Sequence, residues 1–225
     1  MRNVWESHLD SELAFWRRWL TEPLFDKLRS ARLAEINDFP RFYIDQTERA
    51  PGERVRVLDV GSGPISTLGD AAAGYDVELV CVDALGVQYN ALLDEYGFTN
   101  LPRIIPLKGE DVESRFGPAS FDIVHTANAL DHFEDPFLAF EKMYAVCRTG
   151  GALIVISVEN EGEHQKYLGL HQWNLRADDD GIWLGSRTST RNLRDVTNSN
   201  DIYSWSIIHE TAEFRVFCAI VKKRS

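Results

Sequence analysis

The sequence predicts an α/β fold with a mostly parallel sheet of seven strands, on three observations. From Arg54 to Val158, five short runs rich in branched apolar residues alternate with segments of helical length, which is the pattern of βαβ units. Two later β-rich runs, Asp201–His209 and Glu213–Val221, are separated by three residues only, so they must pair as an antiparallel hairpin. A helical segment precedes the first strand, which predicts an N-terminal helical cap.

Residues 1–52 are expected to form this cap and residues 53–225 the main domain. Apolar residues recur at three- and four-residue steps in two stretches: Trp5, Leu9, Leu13, Trp16, Leu20, and then Leu24, Leu28, Ala31, Ile36. Glu22-Pro23 separates the two helices. The first stripe is interpreted as a lid or a homodimer face rather than a membrane anchor, because its polar face carries both charge signs.

The order of elements in the main domain follows from periodicity. Strands are expected at Arg54–Val60, Val77–Val82, Ile104–Leu107, Phe121–Thr126 and Ala152–Val158, and helices at Pro64–Ala73, Val87–Tyr96 and Pro136–Cys147. Thr149-Gly150-Gly151 is expected to stop the last helix, because glycine readily takes the left-handed C-terminal position. Residues 159–200 are polar and show no regular period, which indicates an insertion.

Composition excludes several classes of protein. The net charge of −11 argues against a nucleic-acid partner, since phosphate binding needs an excess of lysine and arginine. The first residues lack the apolar core of a signal peptide, and no apolar run approaches the length of a membrane span. Three widely spaced cysteines, Cys81, Cys147 and Cys218, are interpreted as small core residues in a reducing compartment. A cytoplasmic protein is expected.

The segment after the first strand predicts a cofactor site. The run Val55–Val60 ends in Gly61-Ser62-Gly63-Pro64. Glycine has no Cβ, so main chain can approach a bulky ligand there. At the carboxyl end of a parallel strand, such a turn is typical of a nucleotide-type cofactor site.

These motifs, taken in order, resemble the class I S-adenosylmethionine-dependent methyltransferases. The resemblance rests on Asp59–Gly63, Asp83, Gly109-Glu110-Asp111, Phe121–Val124 and Gly150–Leu153, and on the terminal hairpin. It implies a Rossmann-like sheet and S-adenosylmethionine as the cofactor. It also implies that Asp83 holds the ribose hydroxyls and that Asp111, or Glu110 in its place, lies beside the adenine. The cofactor-binding set is Asp59, Gly61, Ser62, Gly63, Asp83, Ala84, Asp111 and Asn128.

Two departures leave alternatives open. Ile65 stands where the family usually has a third glycine, and Ser66 stands where a dinucleotide fingerprint has its last glycine. An NAD(P)-dependent oxidoreductase is therefore one alternative, although the terminal hairpin counts against it. A non-catalytic protein that binds S-adenosylmethionine or a partner is another.

Two segments are expected to line the acceptor side, because both follow carboxyl ends of central strands. The loop 126–132 and the segment 159–173 hold three candidate catalytic bases, His132, His164 and His171, and three candidate substrate-binding residues, Asn160, Gln172 and Trp173. This set favours O-methylation of a small hydroxylated molecule, such as a sugar or a secondary metabolite. No metal is expected, because no histidine pair has helical spacing and no cysteine cluster exists.

Overall fold

The computed structural model describes residues 4–35 and 39–225, apart from the side chains of residues 4–7, 31–32 and 34–35. Three members of the predicted apolar stripes, Trp5, Ala31 and Ile36, fall outside the described residues. Among the described residues, the helices are α1 (Val4–Thr21), α2 (Asp26–Glu35), α3 (Arg41–Ile44), α4 (Gly86–Glu95), α5 (Val112–Phe116), α6 (Pro136–Val146) and α7 (Glu161–His164). The strands are β1 (Arg54–Val60), β2 (Asp76–Asp83), β3 (Ile104–Pro106), β4 (Phe121–Ala127), β5 (Cys147–Val158), β6 (Asn174–Asp178), β7 (Gly181–Gly185), β8 (Thr190–Asn192), β9 (Ile202–Glu210) and β10 (Arg215–Lys222).

The main sheet confirms the predicted architecture. Its seven strands lie in the order β3-β2-β1-β4-β5-β10-β9. The first five are parallel to one another, while β10 is antiparallel to both β5 and β9. The chain order reverses between β1 and β4, and in open α/β sheets a ligand crevice lies at the carboxyl ends of the strands beside such a reversal.

Both faces of the sheet are covered, so the central strands are apolar throughout. On one face, Phe140 and Met143 of α6 pack against Leu58 and Val124. On the other face, Phe39 and Ile44 pack against strand residues whose side chains point to that side of the sheet, such as Val57 and Ile123. A third apolar cluster joins the N-terminal helices to the sheet, where Trp19 and Leu20 of α1 meet Tyr89 and Leu93 of α4.

The predicted helix over residues 64–73 is wrong, because this segment forms a series of turns. The Ser66 hydroxyl donates to the Asp59 carboxylate at 2.6 Å and accepts from the Leu68 backbone N–H at 2.9 Å. Such side-chain bonds compete with the helical ladder, and Gly69 lowers helix propensity further. Buried Ile65 and Leu68 fill the space over the sheet instead.

The predicted end of α6 and start of β5 are also wrong. The helix ends at Val146, and the strand runs without interruption from Cys147 through the two glycines to Val158. Gly150 has φ 75°, and the pairing of β4 with β5 shifts register there, so these glycines bend a strand rather than cap a helix.

The insertion 159–200 holds a second sheet that its polar sequence did not predict. Strands β6, β7 and β8 form an antiparallel sheet, and a turn from Asp178 to Gly181 joins the first two. Leu175, Ile182 and Leu184 of this small sheet are buried in the main core cluster.

Two predictions about the chain as a whole can be compared with the structure. The three cysteines are free thiols and buried, as expected. Within the described ranges, no helix combines the length and the apolar character that crossing a lipid bilayer requires.

Candidate functional site

A cavity of about 520 Å³ lies at the carboxyl ends of β1, β2 and β4, where the sheet order reverses. Its floor is formed by the loops that follow these strands. One wall comes from α1, whose residues Glu12, Phe15 and Trp16 face the cavity, and another from the insertion through His171. The position agrees with the crevice that an open parallel sheet provides for a ligand.

The turn after β1 exposes main chain to the cavity. Gly61 has φ 71° and Gly63 has φ 62°, which is the left-handed region that favours glycine. A Cβ on Gly61 would overlap the side chain of Ala129, and one on Gly63 would lie 2.9 Å from the Trp16 ring. Both positions therefore require glycine for conformation and for space.

Asp83, at the end of β2, has its carboxylate oriented by backbone donors. Its Oδ2 accepts from the Gly63 N–H at 3.1 Å and its Oδ1 from the Leu85 N–H at 2.9 Å. Burial raises the pKa of Asp83 to about 6, despite the opposing effect of these two donors. A carboxylate oxygen has two lone pairs, so each can still accept a ligand hydroxyl.

Asp59 lies at the end of β1 but does not line the cavity. It is 2% exposed, and its Oδ1 lies 2.7 Å from His125 Nδ1 while its Oδ2 accepts from Ser66. His125 is fully buried. Asp59, predicted from the sequence to bind the cofactor, thus lies beneath the glycine turn, where it holds the segment that follows.

At the third strand, the two candidate acids are placed differently. Glu110 lines the cavity, and its Oε1 accepts from the Asp135 N–H at 2.9 Å. Asp111 is exposed and lies outside the cavity. Lys108, which also lines the cavity, forms an ion pair with Glu134 at 2.8 Å. Of the pair that the sequence left open, Glu110 is the residue that can reach a ligand.

Asp131, His132 and His171 converge at the acceptor end of the cavity. His171 Nδ1 lies 2.7 Å from Asp131 Oδ2 and 3.0 Å from His132 Nε2, and His132 Nε2 lies 3.3 Å from the same carboxylate oxygen. Burial alone would raise the pKa of Asp131 and lower that of His171. For Asp131 the attraction of His132 and His171 outweighs burial and lowers the pKa, and for His171 the hydrogen bond to Asp131 and its charge outweigh burial and raise the pKa.

These three side chains could also approach a metal ion, since their ligand atoms all lie within 4.8 Å of one another. Around a tetrahedral ion with bonds of about 2.1 Å, neighbouring ligand atoms are about 3.4 Å apart. The 2.7 Å and 3.0 Å separations of this cluster are hydrogen-bond distances. The geometry therefore favours a shared proton.

The structure brings together eight of the predicted site residues in one cavity: Gly61, Ser62, Gly63, Asp83, Ala84, Asn128, His132 and His171. Asn128, at φ 49°, accepts through Oδ1 from the Val158 N–H at 3.1 Å, which ties the loops after β4 and β5 together. Four others lie on the acceptor-side insertion but outside this cavity: Asn160, His164, Gln172 and Trp173.

Those four residues have local roles in the structure. Gln172 Nε2 donates to the carbonyls of Tyr167 and Gly169, and the Trp173 indole donates to the Phe133 carbonyl at 3.1 Å. Asn160 takes φ 52° at the start of α7, and His164 is exposed at its end. Gln172 and Trp173 thus hold this loop in place through their side chains.

Sequence reasoning missed the contribution of α1 and of Asp131. The apolar stripe of α1 was apparent, but Glu12 lies beside it on the cavity side. Asp131 is not among the site residues predicted from the sequence, although it is 2% exposed and pairs with His171, 40 residues away. A carboxylate next to a candidate histidine in a loop after a central strand was the available signal.

Comparison with known proteins agrees with this site. The sequence profile of a family described as a methyltransferase domain matches residues 58–155, from the middle of β1 to the middle of β5. Residues 58–155, somewhat under half of the chain, are thus similar to a methyltransferase domain. S-adenosylmethionine is the cofactor of this family.

Curated relatives match about half of the chain. The ubiquinone/menaquinone biosynthesis C-methyltransferase UbiE of Legionella pneumophila strain Corby is 29% identical over 120 residues, which is 52% of this chain and 47% of the relative. The protein of the same name from strain Paris is 30% identical over the same length. The chain therefore spans about half the length of the curated relatives it matches.

Solved structures match nearly the whole chain. A SAM-dependent methyltransferase from Thermotoga maritima superposes with a TM-score of 0.54 at 14% identity, covering 99% of this chain and 100% of that one. Phosphoethanolamine N-methyltransferase 2 of Haemonchus contortus, in complex with S-adenosyl-L-methionine, gives 0.55 at 12% identity, covering 93% of this chain and 60% of that one. At these identities the likeness establishes the fold.

Proposed function

We propose that this protein transfers a methyl group from S-adenosylmethionine to a hydroxyl group of a small molecule, such as a sugar or a secondary metabolite. The observation that carries the proposal is the buried Asp131 paired with His171 in the same cavity as Asp83 and the glycine turn. A cofactor site and a candidate proton acceptor thus share one space. The match to the methyltransferase family supports this activity over that of an NAD(P)-dependent oxidoreductase.

The cavity fits the cofactor. Its volume of about 520 Å³ lies within the range of about 300–1,000 Å³ that is typical of small-molecule sites. Gly61 and Gly63 would present main chain to the ligand, Asp83 would accept from the ribose hydroxyls, and Glu110 would lie at the adenine end. When bound, S-adenosylmethionine supplies an electrophilic methyl group on a cationic sulfur.

His171 has the arrangement of a general base. Its Nδ1–H donates to Asp131, which leaves Nε2 as the ring nitrogen that can accept a proton. A hydroxyl group is a weak nucleophile until its proton leaves, so a positioned base lowers the barrier. The acceptor oxygen would gain the methyl group as the bond from that methyl to sulfur breaks and leaves S-adenosylhomocysteine, and the proton of the acceptor would pass to His171, where Asp131 stabilises the resulting positive charge.

The domain organisation follows the same assignment. Residues 53–225 would form the catalytic unit, with the insertion 159–200 supplying His171 to the acceptor side. Residues 1–52 would act as a lid, because Leu9 and Trp16 of the apolar stripe face the cavity. This placement favours the lid over a homodimer face for that part of α1.

The proposal is tested by methyl transfer from a labelled cofactor to a panel of hydroxylated small molecules. For an acceptor found with the wild type, His171→Gln and Asp131→Asn should slow single-turnover transfer by about 10²–10⁴-fold, with cofactor affinity retained. His164→Gln is the matched control, because His164 is exposed and outside the cavity. The wild-type rate should rise with pH through a pKa above 6.5, since the pKa of His171 is raised and the base must be neutral.

Full rates in both cavity variants would contradict the assignment of the base. A rate that requires an added divalent cation and disappears with a chelator would also contradict it, and would assign Asp131, His132 and His171 to a metal instead.

A carbon acceptor is the second candidate, because the curated relatives bear the name of a C-methyltransferase. An acidic carbon also has to lose a proton, so the same base could serve it. The carbon-13 spectrum of the product distinguishes a methyl group on oxygen from one on carbon.

A further inference from the structure

Glu12 is the carboxylate that α1 presents to the cavity. The Trp16 indole N–H donates to its Oε1 at 2.8 Å, one helical turn away. The helix itself is held to the main domain by Arg17, which donates to Glu95 of α4 at 2.8 Å, and by buried Trp19 and Leu20. The position of the Glu12 carboxylate is therefore set by the packing of α1.

The charge of Glu12 acts at both ends of the cavity. Besides the larger effect of burial, Glu12 contributes to raising the pKa of Asp83 at the ribose end. It also contributes to raising the pKa of His171 at the acceptor end, where burial acts in the opposite direction and Asp131 has the larger favourable effect. The geometry agrees, because the Trp16 ring that holds Glu12 lies over Gly63, where a Cβ would be 2.9 Å from the ring, and Glu12, Asp83 and His171 line one cavity.

The other cavity carboxylates have different partners. Glu110 accepts from the Asp135 N–H, Asp131 from His171, and Glu161 from the Gln165 amide at 2.7 Å. Asp83 accepts from two backbone N–H groups. Among the described residues, Glu12 accepts a hydrogen bond from Trp16 through Oε1 alone, so its other oxygen can still interact with a cation in the cavity that Glu12 lines.

In S-adenosylmethionine the sulfur is bonded to the ribose and carries the methyl group, so it must lie between the ribose site and the acceptor. We propose that Glu12 faces this sulfur and makes the site select the cationic methyl donor over S-adenosylhomocysteine, the neutral thioether product. The proposal rests on the proposed function, since it assumes the cofactor site at Asp83. A carboxylate attracts a sulfonium and gains little from a thioether, so the same residue would favour release of the product.

Calorimetry with S-adenosylmethionine and S-adenosylhomocysteine tests this role. Glu12→Gln should weaken binding of S-adenosylmethionine by about tenfold while changing that of S-adenosylhomocysteine by less than about twofold. Glu12→Asp, which keeps the charge, should retain the preference for the donor. Asp10→Asn is the matched control, because it makes the same change in net charge at an exposed position of α1 outside the cavity.

A second measurement uses the wild type alone. The ratio of the two affinities should fall as salt rises, because a partly exposed charge pair is screened. Equal loss of both ligands in Glu12→Gln, unchanged binding of both, or a ratio insensitive to salt would overturn the role of Glu12. A wild type that binds neither ligand would instead overturn the proposed function.

Discussion

Asp59 and Asp83 lie at the ends of neighbouring strands, yet their carboxylates have different environments and partners. Asp59 is sealed under the glycine turn and bonded to His125 and Ser66. Asp83 faces the cavity, and its pKa of about 6 reflects burial that two backbone donors only partly offset. Hydrogen bonds from ligand hydroxyl groups would stabilise this carboxylate and offset part of the free-energy cost of its burial.

Asp83→Asn should weaken binding of S-adenosylmethionine by about 1.5–3 kcal/mol, because an amide replaces a charged acceptor. Wild-type affinity should also fall as the pH drops below about 6, since the protonated carboxyl loses acceptor capacity. Calorimetry between pH 5 and about 8 measures both effects. Asp111→Asn is the control at an exposed acid. Unchanged affinity in a folded Asp83→Asn variant would remove Asp83 from the site.

At the scale of elements, the segment 61–73 forms turns where the sequence predicts a helix from residue 64. Its conformation depends on the Ser66 hydroxyl, which bridges Asp59 and the Leu68 N–H. Buried Ile65 and Leu68 then cover the sheet in place of a helical face. The glycine turn is consequently held by a polar bridge from below and by Trp16 of α1 from above.

Ser66→Ala should lower the free energy of unfolding by about 1–3 kcal/mol, because it leaves a buried carboxylate oxygen and a backbone N–H without this partner. Urea denaturation measures the loss. Ser114→Ala removes a hydroxyl that bonds at an exposed position and should change stability by less than about 0.5 kcal/mol. Equal stability of the two variants would show that the bridge does not hold the segment.

At the scale of the whole molecule, charge and architecture act together. The net charge is −11, and the cavity itself is lined by Glu12, Asp83, Glu110, Asp131 and Glu161. Such a field attracts a cation such as the sulfonium of the cofactor and repels polyanions. The acceptor is therefore expected to be a small molecule without a large negative charge.

No appreciable binding to DNA or RNA is expected at physiological salt, since the counterion release that drives such binding needs a basic surface. A gel shift with labelled duplex and single-stranded oligonucleotides measures this. Micromolar affinity that weakens steeply as salt rises would contradict the expectation and would point to a nucleic-acid acceptor.

The sequence by itself determined the main sheet and the terminal hairpin, and it singled out glycines and an acid that line the cavity. Strand periodicity, the glycines at positions 61 and 63 and an acid at the end of the second strand are local signals, because each depends on a few consecutive residues. The short gap between the last two strands, three residues as predicted and four in the structure, left an antiparallel pair as the sole topology. Asp83 and Asn128, which follow directly from strands recognised by such local signals, both line the cavity.

Tertiary structure alone decided the features that depend on contacts distant in sequence. The segment around Ser66 forms turns instead of a helix because Asp59 lies beside Ser66 in space. Strand β5 extends back to Cys147 because it pairs there with β4. His171 became the candidate base, and His164 did not, because His171 reaches Asp131 whereas His164 is exposed outside the cavity. Packing of α1 on α4 brought Glu12 over the cavity. No local pattern encodes these pairings, since their stabilisation comes from burial and hydrogen bonds formed only when the chain has folded.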